Sequence, residues 1–151
     1  MKRTILAVFV IMAVFSSCDI FGPIDWPKFA SPVEAWYWIY ENIEYKNDFS
    51  VHGVLEEWQT PEETMTIRSG DCDDKAILMA EFCHRMNIRC DVAIVWLPDL
   101  DVLWPAHMTP IVNGEFIESW VKDSRKSIVK IYTYEEIQEI LHPQRVPGGK
   151  R

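Results

Sequence analysis

After a basic start at Lys2 and Arg3, the chain is apolar without a break over residues 5–15 and then becomes mixed and periodic. That first run is too short to span a bilayer comfortably and suits the core of a secretory signal. From Ser31 the pattern is helical. Ser31-Pro32-Val33-Glu34 is a capping box with proline at the first helical position, and Val33, Ala35, Trp36, Ile39, Tyr40 and Ile43 supply apolar contacts up to about Tyr45. A polar loop with His52 and Gly53 follows. Thr60-Pro61-Glu62-Glu63 repeats the capping pattern and predicts a short helix that stops before Ser69-Gly70. A longer helix is expected over residues 72–86, and residues 88–97 are strongly β-forming, with Arg89 and Asp91 on one face near the start. Residues 98–105 read as a loop. Residues 106–112 and 115–120 flank Asn113-Gly114, the strongest short hairpin signal. Residues 127–133 predict another strand, and Thr133-x-x-Glu136 caps a last helix ending at His142-Pro143.

The hairpin fixes a register. With Asn113 and Gly114 as the turn, Val112 faces Glu115, Thr109 faces Glu118, and His107 faces Trp120. Opposed residues share a face, as do residues two apart, so His107 and Glu118 are expected as diagonal neighbours.

The ends divide the chain. Ser16-Ser17-Cys18 after the apolar run resembles a bacterial lipobox, in which the signal is cut before a cysteine that then carries lipid; Phe15 stands where leucine is usual. The reading is a signal peptide over residues 1–17, a lipid-anchor tether over 18–30, one domain over 31–145 and a mobile tail over 146–151. Without Lys2 and Arg3, the 15 basic residues fall to 13 against 23 acidic ones, a formal charge of −10. That balance argues against a nucleic-acid partner and against docking on anionic headgroups without the lipid. Seven tryptophans point to an aromatic core or a substrate groove. No CxxC or HxxxH spacing suggests a metal, and the reading calls for no cofactor.

The chemistry concentrates at Gly70-Asp71-Cys72-Asp73-Asp74-Lys75, where a turn becomes a helix. Unpaired N–H groups at a helix start carry partial positive charge, which is expected to lower the Cys72 thiol's pKa. Asp73 and Asp74, in the first turn, suit the helix dipole but oppose a thiolate. His107 is a candidate base and Glu118 a candidate acid, giving the order nucleophile, base, orienter. Cys83 and Cys90 read as buried small hydrophobes, with a bridge between them left open. His84 and His142 read as structural or solvated.

Trp58-Gln59-Thr60-Pro61-Glu62-Glu63-Thr64, then Ser69 to Ala76, then Met86-Asn87-Ile88, resembles the transglutaminase-like superfamily. The family often shows His-Ala-Trp where this chain has His107-Met108-Thr109, and an Asp where Glu118 stands closest. The resemblance implies an α+β, papain-like core with a nucleophile helix packed on an antiparallel sheet. It implies acyl transfer through a thioester on Cys72, with His107 as base and then acid. The oxyanion hole would use the Cys72 N–H and a donor from Trp58 or Gln59. The expected partner is a peptide or protein amide, and a cell-wall peptide fits a lipoprotein on the outer side of the cell envelope. A binding module that kept the fold without catalysis is the alternative.

Overall fold

The computed structural model describes residues 23–48, 53, 57–98 and 106–143. The signal, Cys18, His52, most of the loop before Pro105 and the tail lie outside them. Helix α1, Pro32–Asn42, starts where expected: Ser31 Oγ accepts from the Glu34 N–H. It stops short of Tyr45, because Glu44–Tyr45 forms a short strand, β1, parallel to β2, Ser69–Gly70. Helix α2, Pro61–Ile67, carries a full Thr60–Glu63 capping box and ends on Arg68 at φ 59°. Helix α3, Cys72–Arg85, is capped by Asp71, with Asp74 reaching back to the Asp71 N–H. The other strands are β3 (Cys90–Trp96), β4 (Ala106–Val112), β5 (Glu115–Phe116) and β6 (Ser127–Tyr132). The short α4 (Ser119–Asp123) follows β5, and α5 (Tyr134–Leu141) sits on a Thr133–Glu136 capping box.

Strands β5, β4, β3 and β6 form one antiparallel sheet in that order. Alternation along β3 sorts its side chains. Cys90 and Val92 join the main core with α1, α3 and α5, while Ala93, Val95 and Leu97 join Val121 and Ile111 in a second cluster. A strand covered on both faces shows a nearly continuous apolar run, which is how residues 88–97 read. Helix α3 is central. Residues 76–80, Phe82 and Cys83 are buried all round it, an arrangement open only to a helix packed between other helices and a sheet. The fold is therefore the mixed, papain-like arrangement expected, with the Cys72 helix packed against an antiparallel sheet.

Three expectations change. The segment from Ile24 is not a free tether: Ile24, Trp26 and Phe29 pack on the main core, with Trp26 edge-on to Phe82 at 6.0 Å between ring centroids. Val33 and Tyr40 are exposed rather than packed. The hairpin keeps its turn and first pairs, Val112 with Glu115 and Ile111 with Phe116, but β5 ends there. Pro110 accepts a bond from the Ile117 N–H and, lacking its own N–H, returns none, so the ladder cannot extend to Glu118.

Candidate active site

Cys72 is the first residue of α3, and the Asp71 cap explains why the helix starts there: Asp71 Oδ1 accepts from the Asp73 N–H. The thiol is not the low-pKa group that a helix start suggests. Burial pushes it up to about 12, and the Asp71 and Asp73 charges add to the rise. The Met108 and Cys72 N–H groups pull the other way without offsetting the lost water. At neutral pH the resting group is a thiol, and a nucleophilic role requires a base. Its neighbour on β4, the Met108 N–H, directly follows His107 in the chain.

His107 Nε2 lies 2.7 Å from Glu118 Oε2, and both side chains are largely buried. The pairing is made differently from the expected diagonal. Glu118 is the N-cap residue of α4, yet its carboxylate makes no cap bond. One oxygen meets His107, and the other accepts from Trp120 Nε1 at 3.3 Å. The Trp120 ring rests against the imidazole at 4.9 Å between centroids. Thus the two residues expected near His107 are there, but a turn of helix rather than a strand brings them. A carboxylate facing Nε2 favours the tautomer whose Nε2–H donates to Glu118, and that tautomer carries its lone pair on Nδ1, as a general base needs.

Gln59 is buried, and its side-chain Nε2 has no hydrogen-bond partner among the described residues; its Oε1 accepts from Thr64 Oγ1 at 3.3 Å. An unsatisfied buried amide donor is costly unless something uses it. The Gln59 backbone N–H is fixed to the first turn of α3 by Asp74 Oδ1 at 2.8 Å. Trp58, the other oxyanion candidate, packs edge-on to Tyr132 at 5.2 Å and contributes to the core. Asp74 is more than a dipole partner: it is fully buried and also accepts from the Asp71 N–H at 3.2 Å. Gly70 leaves the room for it, since a Cβ there would lie 2.6 Å from Asp74 Cβ.

Asp48, Asp71 and Asp73 each place a carboxylate oxygen within 4.8 Å of the others, a grouping able to hold a cation that linear spacing did not reveal. Asp48 also accepts from the Glu57 N–H. Cys83 and Cys90 are buried free thiols in contact, the Cys90 thiol raised by its bond to Cys83 and by burial. His84 stacks on Tyr134 at 4.1 Å, and His142 is the exposed C-cap of α5. Sequence reasoning gave no role to Lys75 or Tyr45, and took Asp74 as a helix-dipole partner without its buried bonds to the Gln59 and Asp71 N–H groups. The signal available for Asp74 was its place three residues after the Asp71 cap.

A family model described as a transglutaminase-like domain matches residues 28–146, and the chain belongs to that family. No curated protein sequence matches it. Among solved structures, it resembles a candidate cysteine protease from Cytophaga hutchinsonii at 18% identity and a TM-score of 0.44, covering 66% of this chain and 42% of that one. It also resembles Legionella pneumophila LapG at 14% identity and a TM-score of 0.46, over 73% of this chain and 71% of that one. An EGTA-treated form of LapG gives 15% identity and the same TM-score, over 68% and 65% of the two chains. The chain thus spans less than half of the Cytophaga hutchinsonii protein.

Proposed function

We propose that this chain is a cysteine peptidase or amidase of transglutaminase-like type, held at the cell envelope by lipid on Cys18. The observation that carries the catalytic reading is the His107–Glu118 pair, whose 2.7 Å bond engages imidazole Nε2 rather than Nδ1, on the strand whose next N–H meets Cys72. In the reaction, Nδ1 takes the thiol proton as Sγ attacks an amide carbonyl. Glu118 stabilises the imidazolium that forms, and the Cys72 N–H and Gln59 Nε2 stabilise the oxyanion. The imidazolium then protonates the leaving amine, which departs and leaves a thioester. Water frees the acid, or an amine takes the acyl group, and the thiol is restored. The substrate is a peptide or protein amide, and a peptide of the cell wall suits the location.

The test uses the purified chain with a set of p-nitrophenyl esters and peptide anilides. Wild type is expected to turn over at least one of them and to carry an acyl adduct on Cys72 by mass spectrometry. Cys72→Ala should lower turnover by at least about a thousandfold. Because burial raises the thiol to about 12, iodoacetamide should label Cys72 slowly at pH 7 and faster with each step toward pH 11. Neither turnover nor adduct would favour the binding module instead.

The anchor has its own test. Protein recovered from its native membrane fraction is expected to begin at an acylated Cys18, read by mass spectrometry of the N-terminal peptide. An unmodified N-terminus at another residue would overturn the lipoprotein reading.

A further inference from the structure

A cavity of about 660 Å³ opens beside the nucleophile helix, and Tyr40, Tyr45, Arg68 and Lys75 are among its lining residues. Both cations are held by aromatic faces rather than by carboxylates. Lys75 Nζ sits over the Tyr40 ring at 5.9 Å and the Tyr45 ring at 5.6 Å. The Arg68 guanidinium lies over Trp38 at 5.0 Å. Neither forms an ion pair with a described residue, in a protein whose formal charge is −8. Glu41 and Glu44 also line the cavity; both are exposed, and Glu44 is engaged by Lys46 at 2.8 Å.

The cavity borders the helix that carries Cys72, through Lys75. Lys75 is three residues after Cys72 in α3, which puts the two on one helix face. Burial lowers the Lys75 ammonium while the Glu118 charge supports it, and burial raises the Tyr45 phenol, with Cys72 and the Asp71, Asp73 and Asp48 charges adding to the rise. Tyr45 is tied to the same corner because it pairs with Gly70. A half-buried ammonium that rests on tyrosine faces keeps donors for an incoming anion and loses little side-chain freedom when one binds.

We propose that the Tyr40–Tyr45–Arg68–Lys75 cavity is the substrate subsite for a carboxylate, so that the amide substrate is an acidic peptide. Lys75 and Arg68 act as specificity residues, and the tyrosines hold Lys75 in place. This rests on the catalytic reading above, and its test separates the two.

The probes are acetyl-Ala-Glu-Glu-Ala-amide and its Gln-Gln counterpart, titrated by calorimetry into the full chain carrying Cys72→Ala. The acidic peptide is expected to bind about tenfold tighter, the preference shrinking as salt is raised. Adding Lys75→Met or Arg68→Gln should bring the acidic peptide close to the Gln-Gln value, with thermal unfolding unchanged for at least one of the two. Equal affinity for the two peptides, no measurable binding of either, or a preference that survives both substitutions would overturn the subsite. Acid preference without any turnover by wild type would sink the catalytic reading and leave the subsite standing. Turnover without acid preference would do the reverse.

Discussion

Glu118→Gln is expected to lower kcat by about three to four orders of magnitude, the loss that follows when a triad's carboxylate becomes an amide. The chain should still fold, since Glu118 makes no cap bond to α4 and, among the described residues, its carboxylate is hydrogen-bonded to the His107 and Trp120 side chains. An amide can present its NH₂ to Nε2, which favours the tautomer with the proton on Nδ1, the wrong state for a base. KM should change little, because the lost interaction strengthens only as the imidazolium forms. Glu118→Asp is expected to recover only part of the rate: the backbone is fixed as the N-cap of α4, and a side chain one methylene shorter falls short of the 2.7 Å contact. Steady-state kinetics on the best ester from the screen would decide. A Glu118→Gln enzyme as fast as wild type would mean that His107 acts without an orienting carboxylate.

Asp74→Ala is expected to cost roughly 2–4 kcal/mol of stability, because it leaves the Gln59 and Asp71 N–H groups without their acceptor in a buried place. It should also depress turnover in the fraction that stays folded, since Gln59 loses its tie to the start of α3. The pH dependence carries a sign of its own. Burial raises the Asp74 carboxyl from 3.8 to about 7, so the folded chain holds that proton more tightly than the unfolded one. The resulting stabilisation is fully present below about pH 4 and is lost as pH rises through about 7. Wild type should therefore lose stability between pH 5 and pH 8 through this group, while Asp74→Ala flattens that slope. Urea midpoints at the two pH values measure it, and an equal slope in both proteins would show that Asp74 is ionised throughout.

Local chemistry, legible in the chain itself, set the frame of the fold. Ser31, Thr60 and Thr133 cap their helices as their spacing foretold, because a cap bond closes within one turn and needs nothing distant. The Asn113-Gly114 turn likewise follows from residues that tolerate positive φ, observed at 51° and 88°. The same locality exposed Cys72 at a helix start and placed His107 on a strand near Glu118 and Trp120.

Contacts between distant segments decided the rest. Pro110 ended the hairpin ladder, so Glu118 reached His107 from the cap of α4 instead of from a strand. Burial raised the Cys72 thiol against the helix-start expectation, since desolvation depends on what packs around Sγ and not on its position in α3. Gln59 with Asp74, the three aspartates 48, 71 and 73, and the Lys75 perch between Tyr40 and Tyr45 all join residues far apart in the chain. A sequence pattern records which face of an element is apolar. Which elements meet, and how much water is left between them, is a property of the packed whole.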